Sequence, residues 1–259
     1  MHNDTMHHIN FKAILIGLLI TIGSSTFLVA QDLSVAAAAN VRFALEEIER
    51  VFEQKTKLAV EVNYSSSGKL STQITQGAPF DVFISADEEY PLSLQKAGAT
   101  ANAPKVYAEG TLVLWTTQVG LSLKTDGKIL RSDRVQKIAI ANPKTAPYGR
   151  AALEWLKKKG LFAQVESKLV YGESIAQATQ YILTGACEVG LTAKSMVMAD
   201  EMKGKGTWVE IDPKNHEPIR QAAVITTYGQ SKHPEASQRF FDFLFSAEAK
   251  KIWKKYGYR

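Results

Sequence analysis

The chain has 259 residues, of which 45% are hydrophobic and 22% charged, with a net charge of +5. That length allows one or two domains, and the composition excludes a disordered, collagen-like or polytopic membrane chain. A single cysteine, Cys187, excludes an intrachain disulfide and any metal site built on several cysteines.

Lys12 precedes an apolar run over residues 13–22. The small residues Gly23, Ser24, Ser25 and Thr26 follow, and then Phe27-Leu28-Val29-Ala30. A positive residue, a short apolar core and a small-residue exit predict a secretory signal peptide over residues 1–30, with cleavage after Ala30. The run falls short of the roughly 20 apolar residues that span a bilayer, which argues against an anchor helix. Removing the segment takes Asp4 and Lys12 together, so the net charge is unchanged, and it discards His7 and His8.

Beyond it, short apolar runs alternate with amphipathic stretches. Strands are expected at residues 33–38, 58–64, 81–85, 106–108 and 111–116, with helices at 42–56 and 88–96 and a short helix that follows Ser65-Ser66-Ser67-Gly68 and ends at Gln76. Ala44, Leu45, Ile48, Val51 and Phe52 form the apolar stripe of the first helix. The pattern then restarts, with strands at 135–141, 168–171, 189–193, 208–211 and 221–226. Helices are expected at 148–158, 173–184, 233–245 and 247–256. Strands alternating with helices predict parallel sheets covered by helices. Two rounds predict two α/β lobes, residues 32–112 plus 223–259 and residues 113–222. The chain would cross between them twice, with a ligand cleft between the lobes.

No GxSxG, P-loop, GxGxxG or HExxH pattern occurs. His216 and His233 lie in loop-like surroundings and are expected at the surface. Asp81 and Asp87 are expected to be structural, with Asp87 capping a helix, and Cys187 to be a small buried hydrophobe. The lysines at 157–159 and 250–255 read as solvated helix faces, so no nucleic-acid partner is expected. What recurs instead is a helix opening on small or hydrogen-bonding residues directly after a strand. The openings are Ala39-Asn40, Ser65-Ser66-Ser67-Gly68, Pro147-Tyr148-Gly149 and Gly172-Glu173-Ser174-Ile175. Such starts carry unpaired N–H groups and partial positive charge, so several converging ones make an anion site without Arg or Lys.

The runs Val35-Ala36-Ala37-Ala38-Ala39-Asn40, Ser65-Ser66-Ser67-Gly68-Lys69-Leu70 and Gly77-Ala78-Pro79-Phe80-Asp81-Val82-Phe83-Ile84-Ser85-Ala86-Asp87 resemble the periplasmic molybdate-binding proteins of ABC importers. The likeness continues through Tyr107 to Trp115, Ala146-Pro147-Tyr148-Gly149-Arg150 and Lys255-Tyr256-Gly257-Tyr258. It implies a two-lobed, type II periplasmic-binding-protein fold, each lobe a mainly parallel sheet flanked by helices, with two hinge crossings. It implies capture of molybdate or tungstate by Ala39, Asn40, Ser67, Tyr148 and Ile175, with no cofactor, no direct metal ligand and no catalytic residue. It also implies a periplasmic monomer that hands its ion to a membrane permease. Many relatives keep a ligand tyrosine where this chain has Ala193, and the Tyr148 hydroxyl is expected to take its place.

Molybdate and tungstate are fully ionised dianions whose oxygens only accept hydrogen bonds, which suits hydroxyl, amide and backbone donors. Sulfate and phosphate are the neighbouring alternatives. A different class, an exported hydrolase with Ser67 as nucleophile, would need a base nearby, for which the sequence offers little beyond Lys69.

Overall fold

The structure, a computed structural model, describes residues 33–259; the expected signal peptide lies outside the described residues. The first lobe begins with β1 (Leu33–Ala38), α1 (Arg42–Thr56), β2 (Val60–Ser65), α2 (Ser67–Thr75), β3 (Val82–Ile84), α3 (Glu89–Lys96) and β4 (Lys105–Gly110). The second lobe holds β5 (Leu112–Thr116), β6 (Ile138–Ala141), α4 (Pro147–Lys158), α5 (Phe162–Val165) and β7 (Leu169–Gly172). It is completed by α6 (Ile175–Leu183), β8 (Val189–Ala193), α7 (Lys194–Val197) and β9 (Thr207–Glu210). The chain then returns as β10 (Ile219–Ile225), followed by α8 (Thr227–Lys232), α9 (Pro234–Phe243) and α10 (Ala247–Lys255).

The two sheets have the orders β2-β1-β3-β10-β4 and β7-β6-β8-β5-β9. Each is mixed. β1 pairs in parallel with β2 and β3, while β10 runs antiparallel to β3 and β4. In the second sheet, β6 is parallel to β7 and β8, and β5 is antiparallel to β8 and β9. The antiparallel pairings belong to β5 and β10, the strands that follow the crossings.

Those strands also correct the expected lobe boundaries. Leu112 pairs with Ala193, so β5 belongs whole to the second sheet. Ile219 already pairs with Gly110, so β10 belongs whole to the first. A sheet ladder holds a strand as a unit, so the crossings fall at Thr111 and between β9 and β10, rather than inside either strand.

β1 reads as an almost continuous apolar run because it lies inside the sheet, between β2 and β3, and is buried along nearly all its length. The returning helices pack on the first lobe, with the Phe52 ring of α1 edge-on to Phe240 of α9 at 5.0 Å. The last residue exchanges two backbone hydrogen bonds with Glu109 of β4 at 2.8 and 2.9 Å. That tie carries Tyr258, buried beside the Trp253 ring, back to the start of α1.

Glu49 sits half-buried on α1 beside its apolar stripe, and burial, with Glu53 and Glu46 close by, pushes its carboxyl up to about 7. The unfolded chain releases this proton near 4.5 and the folded chain holds it longer, so stability falls as pH rises between those values. Glu49→Gln should therefore raise the melting temperature at pH 8 and flatten its pH dependence between 4.5 and 7. An unchanged dependence would show that the penalty arises elsewhere.

Candidate functional site

Four helix starts converge between the lobes. A single 3-10 turn, Ala39–Val41, follows β1 and leads into α1; α2 opens at Ser67, α4 at Pro147 and α6 at Ile175. They enclose a small cavity of about 10 Å³, lined by Ala38, Ala39, Asn40, Ser65, Ser66, Ser67, Ala86, Ala146, Pro147, Tyr148 and Ile175. The expected residues Ala39, Asn40, Ser67, Tyr148 and Ile175 are thus all brought to one cavity. Among the described residues no charged side chain lines it. Larger grooves on the surface hold acidic or basic side chains and do not gather these helix starts.

The N–H groups of Asn40, Ser67, Tyr148 and Ile175 lie in first turns, where no carbonyl of the same helix can accept from them. The Ser67 hydroxyl accepts from the Ala86 N–H at 3.0 Å, which leaves its own proton to donate. Ser66, which the sequence did not single out, is buried with its hydroxyl unpartnered among the described residues. Side by side in sequence, Ser66 and Ser67 offer the same chemistry, and only the structure shows that both reach the cavity.

Behind the cavity runs a chain of buried polar groups. Asn40 Nδ2 donates to Gln221 Oε1 at 2.8 Å and to the Tyr258 hydroxyl at 3.0 Å. The Tyr258 and Ser195 hydroxyls donate to the Asn40 carbonyl at 2.9 and 2.8 Å. Gln221 Nε2 donates to the Tyr148 hydroxyl at 3.1 Å. The Tyr107 hydroxyl lies 2.8 Å from Gln221 Oε1 and 3.0 Å from the Ser85 carbonyl. Burial drives the Tyr107, Tyr148 and Tyr258 phenols well above their ordinary titration range, so all three keep their protons. The expected role of the Tyr148 hydroxyl thus meets a competing partner: its oxygen lies against Gln221 and over Gly110, where a Cβ would come within 2.1 Å of it.

Gly149 follows Tyr148 in the first turn of α4. Its missing Cβ makes room for β6, since a Cβ there would lie 2.3 Å from the Ala141 carbonyl oxygen. The cleft mouth is bridged by Lys69 and Glu173 at 2.5 Å, and Arg150 of the second lobe pairs with Asp87 of the first. Burial raises the Asp87 carboxyl, against the pull of the Tyr90 N–H and Arg150. Asp81 is fully buried, accepting from the Ser34 N–H at 2.7 Å and facing His233 Nδ1 at 2.9 Å. His216 is buried rather than at the surface, its Nδ1 2.7 Å from the Glu217 carbonyl, because the return from β9 folds it inward. Cys187 is buried and free.

Residues 33–259, all that the structure describes, match the family of bacterial extracellular solute-binding proteins. The chain belongs to that family. It is 41% identical over 230 residues to the molybdate-binding protein ModA of Azotobacter vinelandii, covering 88% of this chain and 90% of that one. It is 38% identical over 242 residues to ModA of Rhodobacter capsulatus, covering 93% of each. A solved structure of the A. vinelandii periplasmic molybdate-binding protein superposes with a TM-score of 0.82 at 33% identity, over 88% of this chain and 98% of that one.

Proposed function

We propose that this chain is the molybdate-binding component of an ABC importer, capturing molybdate or tungstate between its lobes and delivering it to a membrane permease. The observation that carries this reading is a cavity with donors from four helix starts and no charged side chain in its lining. Backbone N–H and hydroxyl donors satisfy an ion that only accepts, and helix starts supply partial positive charge without a cation. The ligand set we assign is Ala39, Asn40, Ser67, Tyr148 and Ile175, the tyrosine and isoleucine contributing their N–H groups, with Ser66 added. The match to relatives named for molybdate supports the choice of ion. The protein acts in the periplasm as a monomer, with no cofactor and no turnover.

A hydrolase built on Ser67 finds no support in the geometry. Its hydroxyl is paired to a backbone N–H, and Lys69 reaches Glu173 instead.

Calorimetric titration of the mature chain with molybdate, tungstate, sulfate and phosphate tests the proposal. One-to-one binding of molybdate and tungstate is expected, with phosphate far weaker. Preference for phosphate, or no binding of any of them, would overturn it. Ser67→Ala should weaken molybdate binding by about 1.5–3 kcal/mol, the range for a hydrogen bond to a charged partner. An unchanged dissociation constant would remove Ser67 from the ligand set. The lobes meet around the cavity through contacts such as the Gly68 N–H on the Thr145 carbonyl at 2.9 Å. If binding closes the lobes by a hinge motion, small-angle scattering should give a smaller radius with molybdate than without. Confirmed binding at constant radius would rule out the hinge.

A further inference from the structure

The proton arrangement behind the cavity fixes more than the fold. With Asn40 Nδ2 turned to Gln221, Asn40 Oδ1 is buried without a partner. The single Tyr107 proton then faces two acceptors, Gln221 Oε1 and the Ser85 carbonyl. The Tyr148 hydroxyl accepts from Gln221, and its own proton has no acceptor assigned among the described residues. Half-turns of the Asn40 and Gln221 amides, which exchange nitrogen for oxygen at the same positions, remove the last two conflicts. Gln221 Nε2 then donates to Asn40 Oδ1 and to the Tyr107 oxygen. The Tyr107 proton goes to Ser85 alone, the Tyr148 hydroxyl donates to Gln221 Oε1, and the Tyr258 hydroxyl turns its proton to Asn40 Oδ1, leaving the Asn40 carbonyl to Ser195. The group left over is the Asn40 NH2, two donors on a residue that lines the cavity. An Asn40 NH2 toward the cavity is satisfied by a bound oxyanion, whereas Asn40 Oδ1 there would face an ion that only accepts, so the second arrangement is the one a bound oxyanion favours.

We propose that Gln221, a β10 residue outside the ligand set, is a positioning residue that holds the Asn40 amide with its NH2 toward the bound oxyanion, and that the Tyr148 hydroxyl donates to Gln221 rather than to the ion. This rests on the reading of the cavity as an oxyanion site. The consequence is selectivity. With Asn40 Oδ1 turned to Gln221, the Asn40 side chain offers no acceptor to a protonated anion such as hydrogen phosphate, and a fully ionised anion meets donors.

The decisive measurement is the nuclear Overhauser contact of the Gln221 side-chain NH2 in the mature chain, recorded with and without molybdate. The proposal expects contact with the Tyr107 ring, whereas contact with the Tyr148 ring overturns it. Titration with molybdate gives a second arm. Tyr148→Phe should change the dissociation constant less than about threefold, and Gln221→Met should raise it about tenfold as the Asn40 amide loses its anchor. A loss of tenfold or more in Tyr148→Phe would make the phenol a ligand and overturn the proposal, as would parental affinity in Gln221→Met. Should Gln221→Met fail to fold, the Overhauser contact in the unsubstituted chain still decides. If that chain binds no molybdate, the functional reading falls, and the contact recorded without the ion still decides the amide orientation.

Discussion

Alanine at Gly149 should cost the protein both stability and anion affinity. The added Cβ would lie 2.3 Å from the Ala141 carbonyl oxygen and 2.9 Å from the Asn142 carbonyl carbon. Both are backbone atoms, so neither can step aside as a flexible side chain would. Ala141 ends β6, which is paired on both sides by β7 and β8, so α4 is the element that must move. Overpacking of this kind costs about 1–3 kcal/mol. The same displacement carries the Tyr148 N–H away from the cavity, since that residue precedes Gly149 in the first turn of α4. Losing one hydrogen bond to a charged partner costs about 1.5–3 kcal/mol, or at least a tenfold weaker dissociation constant. Urea unfolding reads the first effect and calorimetry with molybdate the second. Parental values in both would mean that α4 and β6 are not locked together as the structure shows.

The contrast between Gly149 and the residues proposed as ligands shows what the sequence could convey. Helix starts after strands are a local signal that brought out the four openings without any coordinates, and the family resemblance then picked Asn40, Ser67, Tyr148 and Ile175 within them. The α1 bounds, Arg42–Thr56, were legible because Ala44, Leu45, Ile48 and Phe52 form one stripe. The helix α8 was not legible, since Gly229 interrupts a short polar stretch. The structure shows why glycine is there: a Cβ would meet the Asp81 carbonyl oxygen at 2.4 Å. Arg220, exposed near the start of β10, hid the true extent of that strand. The network behind the cavity left no local trace at all. Tyr107 comes from β4, Gln221 from β10 and Tyr258 from the chain end, and only the tertiary fold brings them to Asn40.

That convergence also explains how a chain with a net charge of +5 can have no lysine or arginine in the lining of this site. The nearby cations serve other partners: Arg150 pairs with Asp87 and Glu89, and Lys69 with Glu173. These pairs join the two lobes outside the cavity. A cation inside would attract any anion of suitable size, whereas directed N–H and O–H groups reward an ion that can accept from all of them at once. Exposed pairs such as Lys69–Glu173 contribute little free energy each, so the proposed selectivity rests on the cavity.

Asn40→Asp puts this account to its most severe test. The exchange keeps shape and volume but replaces an NH2 donor by an acceptor and adds a negative charge beside the bound ion. Two unit charges 4 Å apart repel by about 4 kcal/mol at the effective dielectric of a protein surface, and the ion carries two. Affinity for molybdate should therefore fall on the order of a thousandfold or more. Folding should suffer far less, because a carboxylate at this position meets the same helix starts that would otherwise receive the ion. Asn40→Ala separates the two contributions: it removes the donor without adding charge, and should cost only about 1.5–3 kcal/mol. The expected order of affinity is parent, then alanine, then aspartate far below. Lowering the pH should restore part of the binding to the aspartate variant alone, since a protonated carboxyl regains a donor and loses its charge. If aspartate and alanine bind molybdate equally well, position 40 does not face the ion, and the helix starts around it are caps rather than ligands.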